Sequence, residues 1–455
     1  MAQAGIRKPH IVDATILFID LMDSVALSNS LTLIEYNHLI NDYQAMLRRV
    51  IDVIRKDYPV AELYLGGDQL AAFFYDPADA GLREKAHQLR ARSPASRLAP
   101  QIEARLDRTR QRCLYGALRC SVQVKNAWIG DPRNVERIAA QQPVLDIGAG
   151  INSGNVIFQQ RADGECRIEG FAINFAKRVE SFSRSGSFCK IMLSKTAFEV
   201  FSNTVVGHSM LKQRAAFEPY TPEPGVLKGL AAGTQVFELK WFHRLAGFAI
   251  TADHVPLYRQ VFFADPTNIW AYTNLLNYHL YSRGDVDEAS LLAHRALYSN
   301  PRNEKVHYDL AEISFRKGEY DAAREYCQRC VRLNDQMDIA YDMLADLEAR
   351  SGRAEELLHY RAKALAITPG SAEYHLDMAI ALAGAGRRED ACRHLSRSRD
   401  IFPGIDDLRP DDVAALECGL GQRRRKPKGG TGPKGAATPG PSKARRAPTP
   451  PSAAG

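Results

Sequence analysis

Two aspartates near the N-terminus are placed where paired carboxylates could bind divalent metal ions. Asp20 ends the apolar stretch IVDATILFID, residues 11–20, which is typical of a buried strand. Asp68 follows two glycines between the segments AELYL and LAAFF, a pattern that predicts a tight hairpin with Asp68 at its tip. An aspartate in a hairpin is usually only a turn residue. Two carboxylates on neighbouring strand ends, however, are oxygen ligands of the kind that Mg²⁺ and Mn²⁺ accept.

A second pair of polar side chains is predicted on a helix farther along the chain. The segment EGFAINFAKRVESF predicts a helix on which Asn174 and Arg178 share one face, at positions i and i+4. It follows DIGAGINSGNVIFQ, which predicts two short strands about a glycine turn. On their own, Asn174 and Arg178 are equally compatible with an ordinary exposed helix face.

The order of these motifs resembles the class III nucleotide cyclases. That family has F-x-D, a strand–GD–strand hairpin, G-I-x-x-G, and then G-x-x-x-N-x-x-x-R. In this sequence the motifs are Phe18-Ile19-Asp20, Gly67-Asp68, residues 150–154 (GINSG), and Gly170 with Asn174 and Arg178. The resemblance covers roughly residues 11–240 and ends with VLKGL, which contains Lys228. It implies an α+β, ferredoxin-like cyclase domain over residues 1–245, with a helical insert at about 76–142.

The resemblance also implies a role for each of these side chains. Asp20 and Asp68 would hold two Mg²⁺ or Mn²⁺ ions per site, with the Leu21 carbonyl assisting one of them. Asn174 would orient the ribose, and Arg178 would neutralise the transition state of 3′-hydroxyl attack on the α-phosphate. The implied phosphate-binding positions are Met22, Asp23, Ser24, Val25 and Lys228.

In this family the metal carboxylates and the Asn/Arg helix at one substrate belong to different subunits. One complete set of these residues in a single chain therefore implies a homodimer with two active sites at its interface, and an inactive monomer.

Two positions depart from the pattern of purine cyclases and bear on the substrate. Those enzymes carry a Lys four residues before the second metal Asp, and an Asp or Thr three residues before the helix glycine; here these positions are Tyr64 and Arg167. An Arg that donates to a carbonyl and a bulky Tyr suit a pyrimidine base. The pattern resembles the pyrimidine cyclases of bacterial Pycsar anti-phage systems, whose cyclic UMP or CMP activates a separate effector. We therefore expect UTP, and CTP as the second choice.

Three alternatives remain open. A purine cyclase is compatible with the sequence if a shifted alignment lets Glu62, Glu165 or Cys166 read the base. A cyclase-like domain without activity could act as a dimerising scaffold. The GGDEF signature of diguanylate cyclases is disfavoured, because Gln69 replaces the acidic residue that follows its Asp.

The second half of the chain contains a repeat of 34 residues, marked by Gly284, Gly318, Gly352 and Gly386. With its columns of small residues, it resembles four tetratricopeptide repeats over residues 268–405, after a linker at 246–267. Such arrays are usually interaction surfaces, so we expect an unidentified protein partner. Cys327 and Cys330 form a CxxC pair inside a repeat helix, which indicates two small core residues rather than a metal site.

Composition limits the remaining possibilities. The formal net charge is +7, but residues 420–455 hold nine Lys or Arg and no acid, so the rest of the chain is near neutral. This favours a disordered basic tail over a specific nucleic-acid partner. No run of eighteen apolar residues occurs, so we expect a cytoplasmic protein without a membrane anchor.

Overall fold

The computed structural model of the chain describes residues 10–79, 81–93, 98–160, 166–202, 215–223, 225–226, 233–242, 248–402 and 404–420. Lys228 and the basic tail beyond residue 420 lie outside these ranges.

One mixed sheet forms the centre of the N-terminal domain. In the described part of the chain its strands are β1 (His10–Leu21), β2 (Val60–Gly66), β3 (Gln69–Phe74), β4 (Ile147–Gln160), β5 (Cys166–Glu169), β6 (Ile191–Ser194), β7 (Ala215–Tyr220) and β8 (Val236–Phe242). The strand order is β2-β3-β1-β4-β6-β8-β7, and β5 pairs with β4.

Seven helices of this domain are described: α1 (Ser24–Ser30), α2 (Leu33–Arg55), α3 (Leu82–Arg92), α4 (Leu98–Ile129), α5 (Pro132–Ala139), α6 (Phe171–Ser183) and α7 (Lys195–Ser202). With α2 between β1 and β2, and α4 between β3 and β4, the first four strands form a βαββαβ unit. All three pairings within this unit are antiparallel. This is the ferredoxin-like arrangement, so the predicted fold class is confirmed.

The segment 147–160 differs from the prediction of two short strands. It forms the single strand β4, which pairs with β1 without interruption from Leu21↔Ile147 to His10↔Phe158. Its glycines do not make a turn but allow close packing. A Cβ on Gly150 would lie 2.1 Å from the backbone nitrogen of Glu180 in α6.

The predicted helical insert at 76–142 also needs correction. Helix α4 is the second crossover helix of the βαββαβ unit, and its C-terminal half lies in the domain core. Val122, Val124 and Trp128 are buried there with residues of β1 and β4. Only α3 and the first part of α4 form an added helical pair. Their sequence is rich in Arg and Glu, which keeps most of this pair outside the core.

The repeats begin after helix α8 (Val255–Ala264). The repeat helices are α9 (Ile269–Asn277, continued by a π-helical turn at Tyr278–Arg283), α10 (Val286–Ser299), α11 (Glu304–Lys317), α12 (Tyr320–Leu333), α13 (Asp338–Arg350), α14 (Ala354–Ile367), α15 (Ala372–Gly384) and α16 (Arg388–Ile401). The short α17 (Ile405–Leu408) and α18 (Pro410–Leu420) follow. The four periodic glycines have φ between 69° and 80°, the left-handed conformation that ends the first helix of each pair.

The segment predicted as a linker contains α8, which is packed against both halves of the chain. The Tyr258 hydroxyl donates a hydrogen bond to Asn126 in α4 (2.6 Å) and accepts one from the Trp270 indole in α9 (3.2 Å). The hydrophobic core continues from the sheet through α8 into the first repeats. Cys327 and Cys330 are buried free thiols in α12, as expected for core residues.

Candidate functional site

Asp20 and Asp68 lie together at one end of the sheet. Asp20 is the penultimate residue of β1 and pairs with Gln69 on β3 and Gly148 on β4. Asp68 is in the turn that precedes β3, and its carbonyl accepts a hydrogen bond from the Leu21 backbone (3.3 Å). The hairpin turn is also held by Gln44 Nε2, which donates to the Gly67 carbonyl at 2.8 Å. The two strand ends predicted from the sequence therefore meet.

The Asp20 carboxyl is buried, with only 5% of the residue exposed. Its Oδ2 accepts hydrogen bonds from Arg184 Nη2 (2.9 Å) and, more weakly, from Gln69 Nε2 (3.4 Å). Its Oδ1 is buried with no hydrogen-bond partner among the described residues. Burial and, after it, the charge of Asp68 raise the pKa of Asp20, Arg184 opposes both, and the resulting pKa is about 6.

Two more titratable groups surround this carboxyl. Glu180 in α6 is buried, and burial followed by the charge of Asp20 raises its pKa to about 7. Tyr43 in α2 is fully buried, and burial followed by the charges of Asp20, Asp68 and Glu180 raises its pKa well above the usual value. The raised pKa values show that acidic groups are crowded at this end of the sheet, and a cation there would stabilise their ionised forms.

Glycines in β4 bring α6 close enough to supply Glu180 and Arg184. A Cβ on Gly148 would lie 2.2 Å from Ser183 Oγ, and one on Gly150 would collide with the Glu180 backbone. Side chains larger than hydrogen would push the helix away from Asp20. This close approach is the physical reason for glycine at these strand positions.

Asn174 and Arg178 lie on a different face of α6. In the same chain, Lys177 donates to Gln69 Oε1 (3.1 Å), and Glu180 and Arg184 face Asp20. Asn174 is exposed, and Arg178 is half-buried. Arg178 Nη1 is buried without a hydrogen-bond partner within the described ranges. One chain thus brings Asp20 and Asp68 together but does not add Asn174 and Arg178 to them.

The predicted base-reading residues are on opposite sides of the central strands. Tyr64 lies on β2, is 45% exposed, and packs edge-on against Phe73 with ring centroids 5.8 Å apart. Arg167 lies on β5, where its guanidinium forms an ion pair with Glu169. Arg167 would have to leave Glu169 to contact a base.

The predicted phosphate-binding segment is the connection from β1 into α1. Asp23 has a left-handed backbone (φ 57°, ψ 23°) and precedes the first helical residue, Ser24. The N–H groups of a first helical turn have no acceptor inside the helix. The Met22 N–H, in contrast, donates to the Asp146 carbonyl at 3.0 Å, so it is already used. Val25 is exposed at 72%.

The residues at Asp20 fit a divalent metal ion. A buried carboxylate oxygen without a donor, next to a second carboxyl, is the environment that a cation would satisfy. In the described ranges, no group of three or more His, Cys, Asp or Glu is arranged to hold a metal. The remaining ligands would have to be backbone, water or substrate oxygens, as is common for Mg²⁺.

Sequence reasoning missed Lys177, Glu180 and Arg184. A signal for them existed, because these residues lie three and four apart and therefore share one face of the predicted helix. The sequence alone could not show that this face is directed toward Asp20, because that orientation depends on β4 being a single strand.

No membrane-spanning helix is found among the described residues.

Comparison with known proteins finds matches to separate parts of the chain. Residues 280–347 match the tetratricopeptide repeat family model. No curated protein sequence matches the chain. Among solved structures, the chain is similar to the adenylyl cyclase CyaB from P. aeruginosa, with 16% identity and a TM-score of 0.36, covering 52% of this chain and 98% of that one.

A solved guanylyl cyclase is similar at 18% identity and a TM-score of 0.34, covering 52% of this chain and 95% of that chain. The protein MamA is similar at 21% identity and a TM-score of 0.30, covering 33% of this chain and 86% of its own. The fold assignment made above rests on strand order and register rather than on these scores. For residues 280–347, the matching family model and the observed helix pairs agree on tetratricopeptide repeats.

Proposed function

We propose that the N-terminal domain is a nucleotide cyclase, which converts a nucleoside triphosphate into its 3′,5′-cyclic monophosphate and pyrophosphate. The observation that supports it most is the pair Asp20 and Asp68 at one sheet end, with a buried Asp20 oxygen that lacks a donor. The motif order that resembles class III cyclases gives this pair its chemical meaning.

Two Mg²⁺ or Mn²⁺ ions would be held by Asp20 and Asp68, with the Leu21 carbonyl as a further oxygen ligand. When bound, they would supply Lewis acidity toward the ribose 3′-hydroxyl and the phosphates. The two carboxyls are close enough for the charge of Asp68 to raise the pKa of Asp20. A cation between them would offset this repulsion.

The other reacting groups would be positioned by side chains of α6. Asn174 is exposed and free to hydrogen-bond the ribose, while Arg178 carries a buried Nη1 that has no acceptor in the described structure. A guanidinium directed at the α-phosphate would stabilise the charge that develops as the 3′-oxygen bonds to phosphorus and pyrophosphate leaves. Lys228 and the N–H groups of Asp23, Ser24 and Val25 would hold the remaining phosphates.

A homodimer would complete this site. Asn174 and Arg178 make no hydrogen bond or ion pair with Asp20 or Asp68 in the described part of one chain, and in this proposal a second copy would supply them. Exposed apolar side chains near the start of α6 support such an interface. Ile11 and Ile157 are direct cross-strand partners that are 64% and 46% exposed, and Phe171 is 60% exposed.

The proposed substrate is UTP, with CTP as the second choice. This rests on Tyr64 and Arg167, which replace the residues that read adenine in purine cyclases. A half-exposed tyrosine ring can stack on or border a base, and an arginine donates to the carbonyl oxygens of uracil. A purine substrate is the enzymatic alternative. Glu165, which could support that alternative, lies outside the described residues.

The repeats are proposed to bind a protein that regulates the cyclase. Because the hydrophobic core continues from the sheet into the first repeats, a partner on the repeats would act on a rigidly attached domain. With a pyrimidine product, the role would be second-messenger synthesis in anti-phage defence, with a separate effector reading the product.

A second candidate is an inactive dimerising scaffold for the repeats. The continuous core that joins the sheet to the first repeats is compatible with it, whereas the four retained residues Asp20, Asp68, Asn174 and Arg178 favour the enzyme.

Product analysis separates these functions. The full-length protein is incubated with Mn²⁺ and equal amounts of ATP, GTP, CTP and UTP, and the products are identified by mass spectrometry, with Asp68→Asn as the matched control. Cyclic UMP from the wild type alone is the expected result. Cyclic AMP or GMP would retain the cyclase and overturn the substrate. No cyclic product would contradict the enzyme and favour the scaffold.

A further inference from the structure

Arg184 is the cation that lies against the Asp20 carboxyl. It caps the C-terminal end of α6, and its Nη2 is 2.9 Å from Asp20 Oδ2. The Asp20 side chain is only 7% exposed, whereas that of Arg184 is 44% exposed. The guanidinium therefore reaches the buried carboxyl from the solvent side. The Arg184 side chain makes no other hydrogen bond or ion pair with the described residues, so Asp20 is its one polar partner there.

The surrounding charges explain why a cation is needed there. The charge of Asp68 raises the pKa of Asp20. The charge of Asp20 in turn raises the pKa of Glu180. Lys177 is nearby but donates to Gln69 instead of to a carboxylate. Tyr36 and Tyr43 face the same group from α2 and supply no positive charge. Without Arg184, no described Lys or Arg would contact the Asp20 carboxylate.

A divalent ion and Arg184 compete for the same carboxylate. An ion bound to Asp20 would be held at about 2.1 Å from a carboxylate oxygen. The Arg184 guanidinium, at hydrogen-bond distance from that carboxylate, would then lie a few ångströms from a second positive charge. The two cations repel at that separation. The exposed side of Arg184 gives it room to move into solvent, and the move breaks only the contact with Asp20.

We propose that Arg184 is a tethered counter-ion, which neutralises Asp20 in the ion-free protein and is displaced when a divalent ion binds. Arg184 is a positioning residue in this role, since its contact holds the Asp20 carboxyl in place before the ion arrives. The proposal rests on the metal assignment of the proposed function. Its consequence is that the intrinsic affinity for the ion is lowered by the cost of displacing the guanidinium.

The test measures Mn²⁺ binding to the full-length protein without nucleotide, by electron paramagnetic resonance of free Mn²⁺. The variants are Arg184→Met, which keeps the apolar stem and removes the charge, and Arg184→Lys, which keeps the charge. Arg90→Met is the matched control, because Arg90 is an exposed arginine paired with Glu103, remote in sequence from the site. We expect Arg184→Met to bind Mn²⁺ about tenfold more tightly than the wild type, and the other two variants to bind as the wild type does.

Thermal unfolding in EDTA at pH 8 gives an independent second measurement. Arg184→Met should unfold at a lower temperature than the wild type, because Asp20 has lost its counter-ion, and added Mn²⁺ should raise its Tm by more than that of the wild type. Equal Mn²⁺ affinities in folded Arg184→Met and wild type would overturn the proposal and leave the metal site intact. No Mn²⁺ binding to any variant, the wild type included, would overturn the metal assignment and this proposal with it.

Discussion

Asp20 in the sheet and Asp309 in the repeats are both buried aspartates whose pKa is raised to about 6, yet their surroundings differ. Both oxygens of Asp309 are satisfied: Lys305 Nζ donates to Oδ1, and the Tyr272 hydroxyl donates to Oδ2 at 2.8 Å. In the Asp20 carboxyl, Oδ1 has no donor in the described structure, and Asp68 adds a like charge.

The difference shows that a raised pKa alone does not identify a functional carboxyl. At Asp309 burial raises the pKa, Lys305 together with two hydrogen bonds opposes it, and the charge of Glu312 adds a smaller rise. Lys305 also lies 5.6 Å above the Trp241 ring of β8, so this ion pair joins the repeats to the sheet. Both aspartates have one cationic partner and a like charge nearby, so the feature that distinguishes Asp20 is its Oδ1, which has no donor in the described structure and is open to a further cation.

The largest expected effect is on activity. Asp20→Asn should reduce cyclic nucleotide formation by on the order of 10³-fold or more. A neutral amide does not bind a divalent ion as a carboxylate does, and no other ligand would take the place of the lost carboxylate. The fold should be retained, as measured by circular dichroism and urea unfolding. Turnover near the wild-type rate would refute the metal role of Asp20.

Lys305→Met should instead act on stability. It leaves the buried Asp309 carboxylate without its ion-pair partner, and we expect a loss of about 3–5 kcal/mol in the free energy of unfolding. The matched control is the double variant Lys305→Met/Asp309→Leu, which removes both charges and should be much less destabilised. Urea unfolding of both variants checks this, and equal losses would contradict a buried ion pair.

The pH dependence of stability follows from the raised pKa of Asp20. Its pKa in the folded protein, about 6, lies above the ordinary aspartate value of 3.8, so the folded state binds the proton more tightly. Asp20 therefore reduces stability as pH rises from about 4 to beyond 6, by up to about 3 kcal/mol. Asp20→Asn lacks this loss, so in EDTA its free energy of unfolding should increase relative to that of the wild type as pH rises from about 4 to 7. If the variant and the wild type showed the same dependence of unfolding free energy on pH, the pKa of Asp20 would not be raised in the folded protein.

The smallest effect is expected for the substrate preference. The double variant Tyr64→Lys/Arg167→Asp should shift the ratio of cyclic AMP to cyclic UMP toward cyclic AMP by about tenfold, the usual value of one or two hydrogen bonds in a base pocket. Competition between ATP and UTP, followed by mass spectrometry, measures this ratio. If the ratio does not change, neither residue reads the base.

Several parts of this molecule could be predicted from the sequence because they depend on local patterns. The strand that ends at Asp20, the hairpin at Asp68 and the helix carrying Asn174 were predicted from apolar runs and glycine positions. The repeats were predicted from a period of 34 residues, and their four glycines do adopt left-handed backbones.

Features that depend on tertiary packing were not predicted. The glycines of residues 147–160 indicate a turn when only local preference is considered, but in the fold they allow α6 to pack against an unbroken β4. The charged first half of α4 favours an exposed insert when it is considered alone, although the second half of the same helix lies in the core. Arg184 has no sequence motif of its own, and its role depends on the orientation that those glycines give to α6.

Complementation between two inactive variants tests most directly whether the Asp20 and Asp68 pair is an active site completed by a second copy. Asp20→Asn and Arg178→Ala are each assayed alone and then after mixing and refolding together. After random pairing half of the dimers are mixed, and each mixed dimer carries one intact site out of two, so we expect about a quarter of the wild-type activity to return. Mixtures that remain as inactive as the separate variants, beside an active wild type, would contradict a site shared between two chains.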